Sequence, residues 1–478
     1  MKTTVPEFAI LGHPNEGKSS VLSTLAEDDS VRISSTPGET TECRTFPVSI
    51  DGHEILRFTD TPGFQNPARV LSHFKKLKKN GSELLMEFRS IAENIPELHD
   101  DLELLTPVER GAGIIYVVDG SRPLRNVDKM EMEILRLTGK PRMAIINCKD
   151  DNFDFLDDWK MEFRKNFNSN QLFNAHRATY AERIRLLEAL KSIDQDWYEP
   201  LSRVVDAFKS EWRARNSQSA DIIIDLLVGC LTLKLTGTIG SSSDEQRVRE
   251  KLFTRYKKKL EKKERTAQEQ IRALFKHNIF NYQLPSHSLL RENILDEKNW
   301  QLLGLTPKQV IIAGGLGGAT LGATLDIATL GHSLGLFTAI GGVAGALGAM
   351  FSGENLSGQA EILGIPLGGE TVQVGPAKNI EMLFVLLNRA LLHYRHIINW
   401  AHGRRDYPES ISIEETNRNY TKDWSASRLK TCQGFFQQLK DNGEPDSEKR
   451  EAFRIIILES LEEISRESRN GQTSLAKT

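Results

Sequence analysis

The sequence predicts two parts of different class: an N-terminal α/β domain, with a mostly parallel sheet and helices on both faces, and a mainly α-helical C-terminal domain. Three observations predict it. Short runs at 8–11, 113–118 and 142–146 are almost continuously apolar, as parallel strands buried on both faces are. Charged, helix-compatible stretches separate them, as a strand-helix-strand chain requires. From residue 196 onward apolar residues recur mostly at helical spacing, beginning with Trp197, Leu201, Val204, Val205, Phe208 and Trp212.

Length and composition set the bounds. A chain of 478 residues exceeds one small core and suggests two to four domains. Its 62 Lys plus Arg nearly balance 65 Asp plus Glu, so a preference for polyanions must be local. Cys43, Cys148, Cys230 and Cys432 lie far apart, which excludes a C-x-x-C zinc site and a disulfide framework. The N-terminus has no signal-peptide pattern, and the expected location is cytoplasmic.

Residues 12–20, Gly-His-Pro-Asn-Glu-Gly-Lys-Ser-Ser, fit G-x-x-x-x-G-K-[ST] between a strand and a helix. Such a loop wraps backbone N–H groups around a phosphate chain at a helix N-terminus. Gly12, Asn15, Glu16, Gly17, Lys18, Ser19 and Ser20 are the candidate nucleotide contacts. Lys18 would reach the β- and γ-phosphates, and the Ser19 hydroxyl would bind Mg²⁺.

The polar stretch 34–43 reads as an exposed loop, where a nucleotide switch needs a Thr that meets Mg²⁺ and the γ-phosphate. Thr41 is the first choice and Thr40 the second. Two β-type runs, 45–50 and 54–59, flank a hairpin signal and end at Asp60-Thr61-Pro62-Gly63. Asp60 would hold Mg²⁺, and the Gly63 N–H would read the γ-phosphate. Lys18, Thr41 and Gly63 are therefore the candidate catalytic groups. After the strand at 142–146 come Asn147, Cys148, Lys149 and Asp150. Asn147, Lys149 and Asp150 are candidate base contacts, since a carboxylate at 150 can accept from guanine N1–H and its 2-amino group, a pattern adenine lacks. Ala175 is a further candidate through its backbone N–H.

With these motifs in order, residues 5–195 resemble the Era/TrmE type of translation-factor-related GTPase. The resemblance implies an α/β P-loop GTPase domain that binds GTP and GDP with Mg²⁺ and hydrolyses GTP. Gly12, Pro14, Asn15, Gly17, Lys18 and Ser19 match that group's G-x-P-N-x-G-K-S loop. It also implies a hydrophobic residue after D-x-x-G, where Phe64 stands, and K⁺ held in some members by the loop Asn, here Asn15. The chain departs at Cys148, where the group usually has Lys, and has no clear Glu after Phe64.

The second half divides into a helical region with a basic arm, 196–305, an apolar part, 306–400, and polar C-terminal helices with a tail, 401–478, after a G domain at 1–195. Residues 244–272 hold eleven Lys or Arg against six Asp or Glu. That reads as a solvated, coiled-coil-like arm, with anionic lipid or RNA as other partners. Residues 310–351 carry Gly314, Gly318 and Gly322, then Gly341 and Gly345, at four-residue intervals. The spacing predicts a glycine-zipper helical hairpin, inserted at the cytoplasmic face of an inner membrane or buried in an α-domain. A short strand or turn at 369–376, a helix at 379–400, loop-rich sequence at 403–445 and a last helix at 451–464 follow, with a disordered tail from Ser465. His393 and His396 are expected to suit a helix C-terminus electrostatically. This half resembles the uncharacterised domain attached to some bacterial Era-like GTPases. The expected function is a GTP-hydrolysing switch acting on an unknown protein effector. An RNA or ribosome-assembly GTPase and a GTP-binding scaffold that scarcely hydrolyses are the alternatives.

Overall fold

A computed structural model describes residues 5–26, 42–50, 52–147, 153–173, 180–238, 245–275, 290, 360–362, 365–367, 371–377, 380–399 and 418–475. The hairpin expected at 310–351 lies outside them.

Six strands form the N-terminal sheet: β1 (Glu7–Leu11), β2 (Arg44–Ile50), β3 (His53–Asp60), β4 (Gly113–Asp119), β5 (Arg142–Asn147) and β6 (Ser169–Leu172), in the order β2-β3-β1-β4-β5-β6. All neighbours are parallel except the β2-β3 hairpin. Period-2 alternation sends Phe8, Ile10, Ile115 and Val117 to one face and Ala9, Leu11, Ile114, Tyr116 and Val118 to the other. Both faces are dry. α1 (Lys18–Ala26) and α7 (Tyr180–Lys191) cover the first face. The second is covered by α2 (Pro67–Leu77), α3 (Gly81–Ala92), α4 (His99–Glu109), α5 (Asn126–Leu137) and α6 (Leu156–Asn166).

The two halves share one element. Helix α8 (Gln195–Leu231) starts at Asp194, whose side chain accepts from the Asp196 N–H. Its first half puts Leu201, Val204, Val205 and Phe208 into the sheet's core, and its second half puts Ile223, Ile224, Leu227 and Leu231 into the helical core. Trp197, near its start, stacks edge-on against Phe8 at 4.8 Å.

The helical part adds α9 (Glu245–Leu274), α10 (Glu381–Ile398), α11 (Ala426–Asn442) and α12 (Ser447–Leu475), with two small pairs: β7 (Leu235–Thr238) on β10 (Thr371–Val374), and β8 (Ala360–Ile362) on β9 (Ile365–Leu367). Glu264 of α9 and Arg389 of α10 form a buried two-bond ion pair at 2.6 and 2.9 Å. The Tyr394 hydroxyl donates to Asn216 Oδ1 of α8.

Four expectations change here. The basic segment is no free arm, because Leu252, Tyr256, Leu260, Ala267 and Ile271 of α9 are buried in the core. The loop-rich stretch contains α11, which buries Cys432, Phe435, Phe436 and Leu439 behind its Ser425 cap. The last helix continues through Leu475. Ser465 is buried within it, bonding Leu461 O and Tyr394, so the tail is not disordered from Ser465. His393 and His396 are not charged caps: burial pushes them down to about 4 and about 3, and they stay neutral. Among the described residues, no helix is long and apolar enough to cross a membrane.

Candidate functional site

Strand β1 ends where the phosphate-loop motif begins, and α1 starts at Lys18. Gly12 sits at φ 145°, and a Cβ there would lie 2.3 Å from the Val117 carbonyl oxygen, so the close pass over β4 requires glycine. Asn15, exposed at the loop's tip, takes the left-handed conformation with φ 66°. Lys18 is buried, and its Nζ donates to the carbonyls of Gly12 (3.1 Å) and His13 (3.0 Å). Its charge is thereby held within the loop that would wrap the phosphates.

Strand β3 delivers Asp60 beside this loop, in register with Ile10 of β1. Ser19 Oγ donates to Asp60 Oδ2 at 3.1 Å. Asp60 Oδ1 is buried with no hydrogen-bond partner among the described residues. Burial raises the Asp60 carboxyl, against Lys18 and the Ser19 hydroxyl, which lower it. A buried, half-satisfied carboxylate beside a hydroxyl is a hard-oxygen donor set suited to Mg²⁺. Asp60 and Ser19 therefore fit the ion. Among the described residues no cluster of three or more His, Cys, Asp or Glu could hold a metal ion.

The turn after Asp60 is tied to the loop. Thr61 Oγ1 donates to Ile10 O at 2.7 Å. A Cβ on Gly63 would sit 2.6 Å from Pro14 Cδ, so the two motifs meet where only glycine fits. Phe64 turns away into the core beside Val70 and Phe74, leaving exposed Gln65 as the first polar side chain after Gly63.

Two base and loop candidates act behind the loop. Asn147, at the end of β5, is fully buried and donates through Nδ2 to Glu16 O at 3.2 Å. The Glu16 side chain also points inward. Its carboxylate takes the Asp119 N–H and pairs with Arg122 (2.8 Å to Nε), and burial raises its pKa although Arg122 opposes the rise. Arg122 in turn pairs with Asp128 of α5 at 2.8 Å and lies over the Trp159 ring. His13 Nδ1 bonds Glu131 of α5, whose other oxygen accepts from Tyr116. Two carboxylates of α5 thus brace the loop. Sequence reading missed Arg122, Asp128 and Glu131, because their partners lie more than 100 positions away or behind an ordinary acidic first turn. The described residues bring together Gly12, Asn15, Glu16, Gly17, Lys18, Ser19, Ser20, Asp60, Gly63 and Asn147. Thr40, Thr41, Cys148, Lys149, Asp150 and Ala175 lie outside them.

Parts of the chain resemble known proteins. The model for a 50S ribosome-binding GTPase matches residues 7–148, and that for a domain of unknown function (DUF3482) matches residues 160–459. The chain is 27% identical over 152 residues to a probable GTP-binding protein EngB of Burkholderia thailandensis, a match covering 31% of this chain and 59% of that protein. It is 34% identical over 142 residues to the tRNA modification GTPase MnmE of Geobacter sulfurreducens, covering 30% of this chain and 25% of that protein. A solved Era structure from Aquifex aeolicus, bound to GDP and AlF4-, is 16% identical, with 49% of this chain and 71% of that chain covered and a TM-score of 0.27. The matches thus span 59% of the EngB relative's length and a quarter of MnmE's.

Proposed function

This chain belongs to the DUF3482 family and carries a P-loop GTPase domain, and we propose that it is a GTP-hydrolysing switch whose helical half responds to the nucleotide. The observation that carries the reading is Asp60: a buried carboxylate with one oxygen on the Ser19 hydroxyl and the other without a partner among the described residues, next to a loop that holds Lys18 inward. Lys18 and the loop N–H groups neutralise charge on the β- and γ-phosphates. Mg²⁺, held by Ser19, Asp60 and Thr41, supplies further charge neutralisation when bound. Thr41 and the Gly63 N–H report whether the γ-phosphate is present. Asn147 steadies the phosphate loop, and Asp150, with Lys149 and the Ala175 N–H, selects guanine. Phe64 is buried and transfers no proton, so turnover is slow until K⁺ at Asn15, a partner or dimerisation completes the site.

Phosphate release from GTP tests this on the full chain, in potassium and in sodium buffer. Turnover abolished in Lys18→Ala, and faster in potassium only while Asn15 is present, is the expected result. Equal release by wild type and Lys18→Ala would overturn the enzymatic reading and leave a nucleotide-binding scaffold. Flotation with vesicles, full chain against a version lacking 310–351, tests whether that segment attaches the chain to a membrane, and equal flotation removes the inserted hairpin.

One observation favours the RNA reading as second. Arg247, Lys251, Arg255, Lys258, Lys262 and Arg265 are all exposed and, at three- and four-residue steps on α9, fall on one side, opposite the buried Leu252, Tyr256 and Leu260. They extend over about 27 Å. The apolar face of α9 is taken up by the core, which leaves it nothing to insert into lipid. Binding of duplex RNA whose salt dependence falls by about one power per stripe Lys→Gln substitution supports this reading; no binding at low salt removes it.

A further inference from the structure

Between the Asp60 turn and β4 the chain inserts α3 and α4. Asp101 of α4 is fully buried, and its two oxygens accept the backbone N–H groups of Gln65 and Asn66, each at 3.0 Å. Two residues on, Glu103 Oε1 accepts the Cys43 backbone N–H at 3.1 Å, and the Glu103 carbonyl accepts the Cys43 thiol at 3.3 Å. Gln65 stands two positions beyond Gly63, and Cys43 two beyond Thr41. One helix therefore grips the downstream ends of both segments proposed to read the γ-phosphate. It is itself anchored: Arg89 of α3 bonds Glu109 at 2.6 Å and Thr106 at 2.9 Å.

Support for the start of α2 would explain Asp101 alone, since its two donors, Gln65 and Asn66, directly precede Pro67, the first residue of that helix. It would not explain why the same helix also holds Cys43, on the other segment. We propose that α4 is a clasp that sets the two segments relative to each other, with Asp101 as a positioning residue for the turn carrying Gly63 and Gln65. The inference rests on the GTPase reading. It makes hydrolysis and the preference for GTP over GDP depend on a helix that touches neither phosphate nor base, while GDP binding, which needs the phosphate loop and the base contacts, does not depend on it.

Acid sensitivity follows from the same geometry. Burial pushes the Asp101 carboxyl up to about 6, with the neighbouring carboxylates Asp100 on α4 and Glu131 on α5 acting in the same direction and the two N–H donors opposing them. Glu131 is itself bonded to His13 and Tyr116. The ionised form accepts both N–H groups. A protonated carboxyl turns one oxygen into a donor and releases one of them.

The test uses the full chain with Asp101→Asn, which keeps the shape, Asp101→Glu as the conservative rescue, and Glu103→Ala. Single-turnover GTP hydrolysis is measured from pH 5 to 8, together with affinities for mant-GDP and a non-hydrolysable mant-GTP analogue. Asp101→Asn is expected to slow hydrolysis about tenfold or more, the scale of a lost charge-assisted hydrogen bond, and to abolish the fall in rate below about pH 6. Asp101→Glu restores part of both. Glu103→Ala weakens the GTP analogue several-fold, and GDP affinity changes less than about twofold in every variant. Hydrolysis in Asp101→Asn with wild-type rate and acid limb would overturn the clasp, as would equal weakening of GDP and GTP. Failure of wild type to bind either nucleotide would instead overturn the GTPase reading.

Discussion

The histidines of α10 make the stability of the helical half depend on pH in a direction that can be worked out. His393 donates from Nε2 to Gln268 O at 3.1 Å, and burial pushes it down to about 4, helped by the nearby positive charge of Arg272. Its ordinary value is 6.5. A histidine depressed on folding leaves stability intact above pH 6.5 and removes it as pH falls, because the unfolded chain takes up the proton first. The loss is about 1.4 kcal/mol per pH unit, reaching about 3 kcal/mol near pH 4. His396, pushed down to about 3 by burial and then by His393 and Arg395, adds to it, and the two titrate as a pair. Against a total of about 5–15 kcal/mol for a domain, this brings the helical half close to unfolding near pH 4. Asp101 has the opposite sign: its raised carboxyl binds a proton more tightly in the native state, so between about pH 6 and 4 its protonation favours the G domain. Thermal unfolding at pH 7, 6, 5 and 4.5, for wild type and His393→Gln, separates these effects. Gln keeps a donor toward Gln268 and cannot charge, so the helical transition of the variant should fall less steeply with acid. Identical slopes, or a helical half that strengthens as pH falls from 6.5, would refute the reasoning.

Gly63→Ala drives a Cβ to 2.6 Å from Pro14 and should abolish GTP hydrolysis while mant-GDP still binds; stopped-flow binding with a phosphate-release assay reads both. Gly113→Ala places a Cβ 1.9 Å from the Trp197 ring and should cost the G domain about 1–3 kcal/mol, as overpacking does. Adding Trp197→Ala should recover part of that loss in denaturant unfolding, and strictly additive losses would show that α8 does not dock there. Glu264→Ala leaves Arg389 in the core without its main counter-charge and should destabilise the helical half by about 3–5 kcal/mol, with much of the loss recovered when Arg389→Met is added. Urea melts of the three proteins decide it.

The parallel sheet and the phosphate loop were legible because each rests on local rules: continuous apolar runs for strands buried on both faces, and glycines where no Cβ fits. Gly12 against Val117 and Asp60 beside Ser19 follow directly from those rules. Contacts that depend on distant pairing were not legible. Nothing near Asp101 in sequence reveals that α4 folds back on Gln65 and Cys43, and nothing near Glu16 points to Arg122. The basic helix misled for a related reason. Its apolar positions, Leu252, Tyr256, Leu260 and Ile271, are few among lysines and arginines, and the surfaces of α8, α10 and the β7–β10 pair make them a core. Helix α12 outran its expected end because Ser465, a neutral signal by itself, meets the Tyr394 hydroxyl.

The most direct test of the switch is binding of mant-GDP against mant-ATP to the full chain in buffer containing Mg²⁺ and potassium, for wild type and Asp150→Ala. Guanine-selective binding that the substitution abolishes is expected. Absence of guanine binding, or equal affinity for both bases in wild type and variant, would contradict a GTP site and shift the function to the helical half.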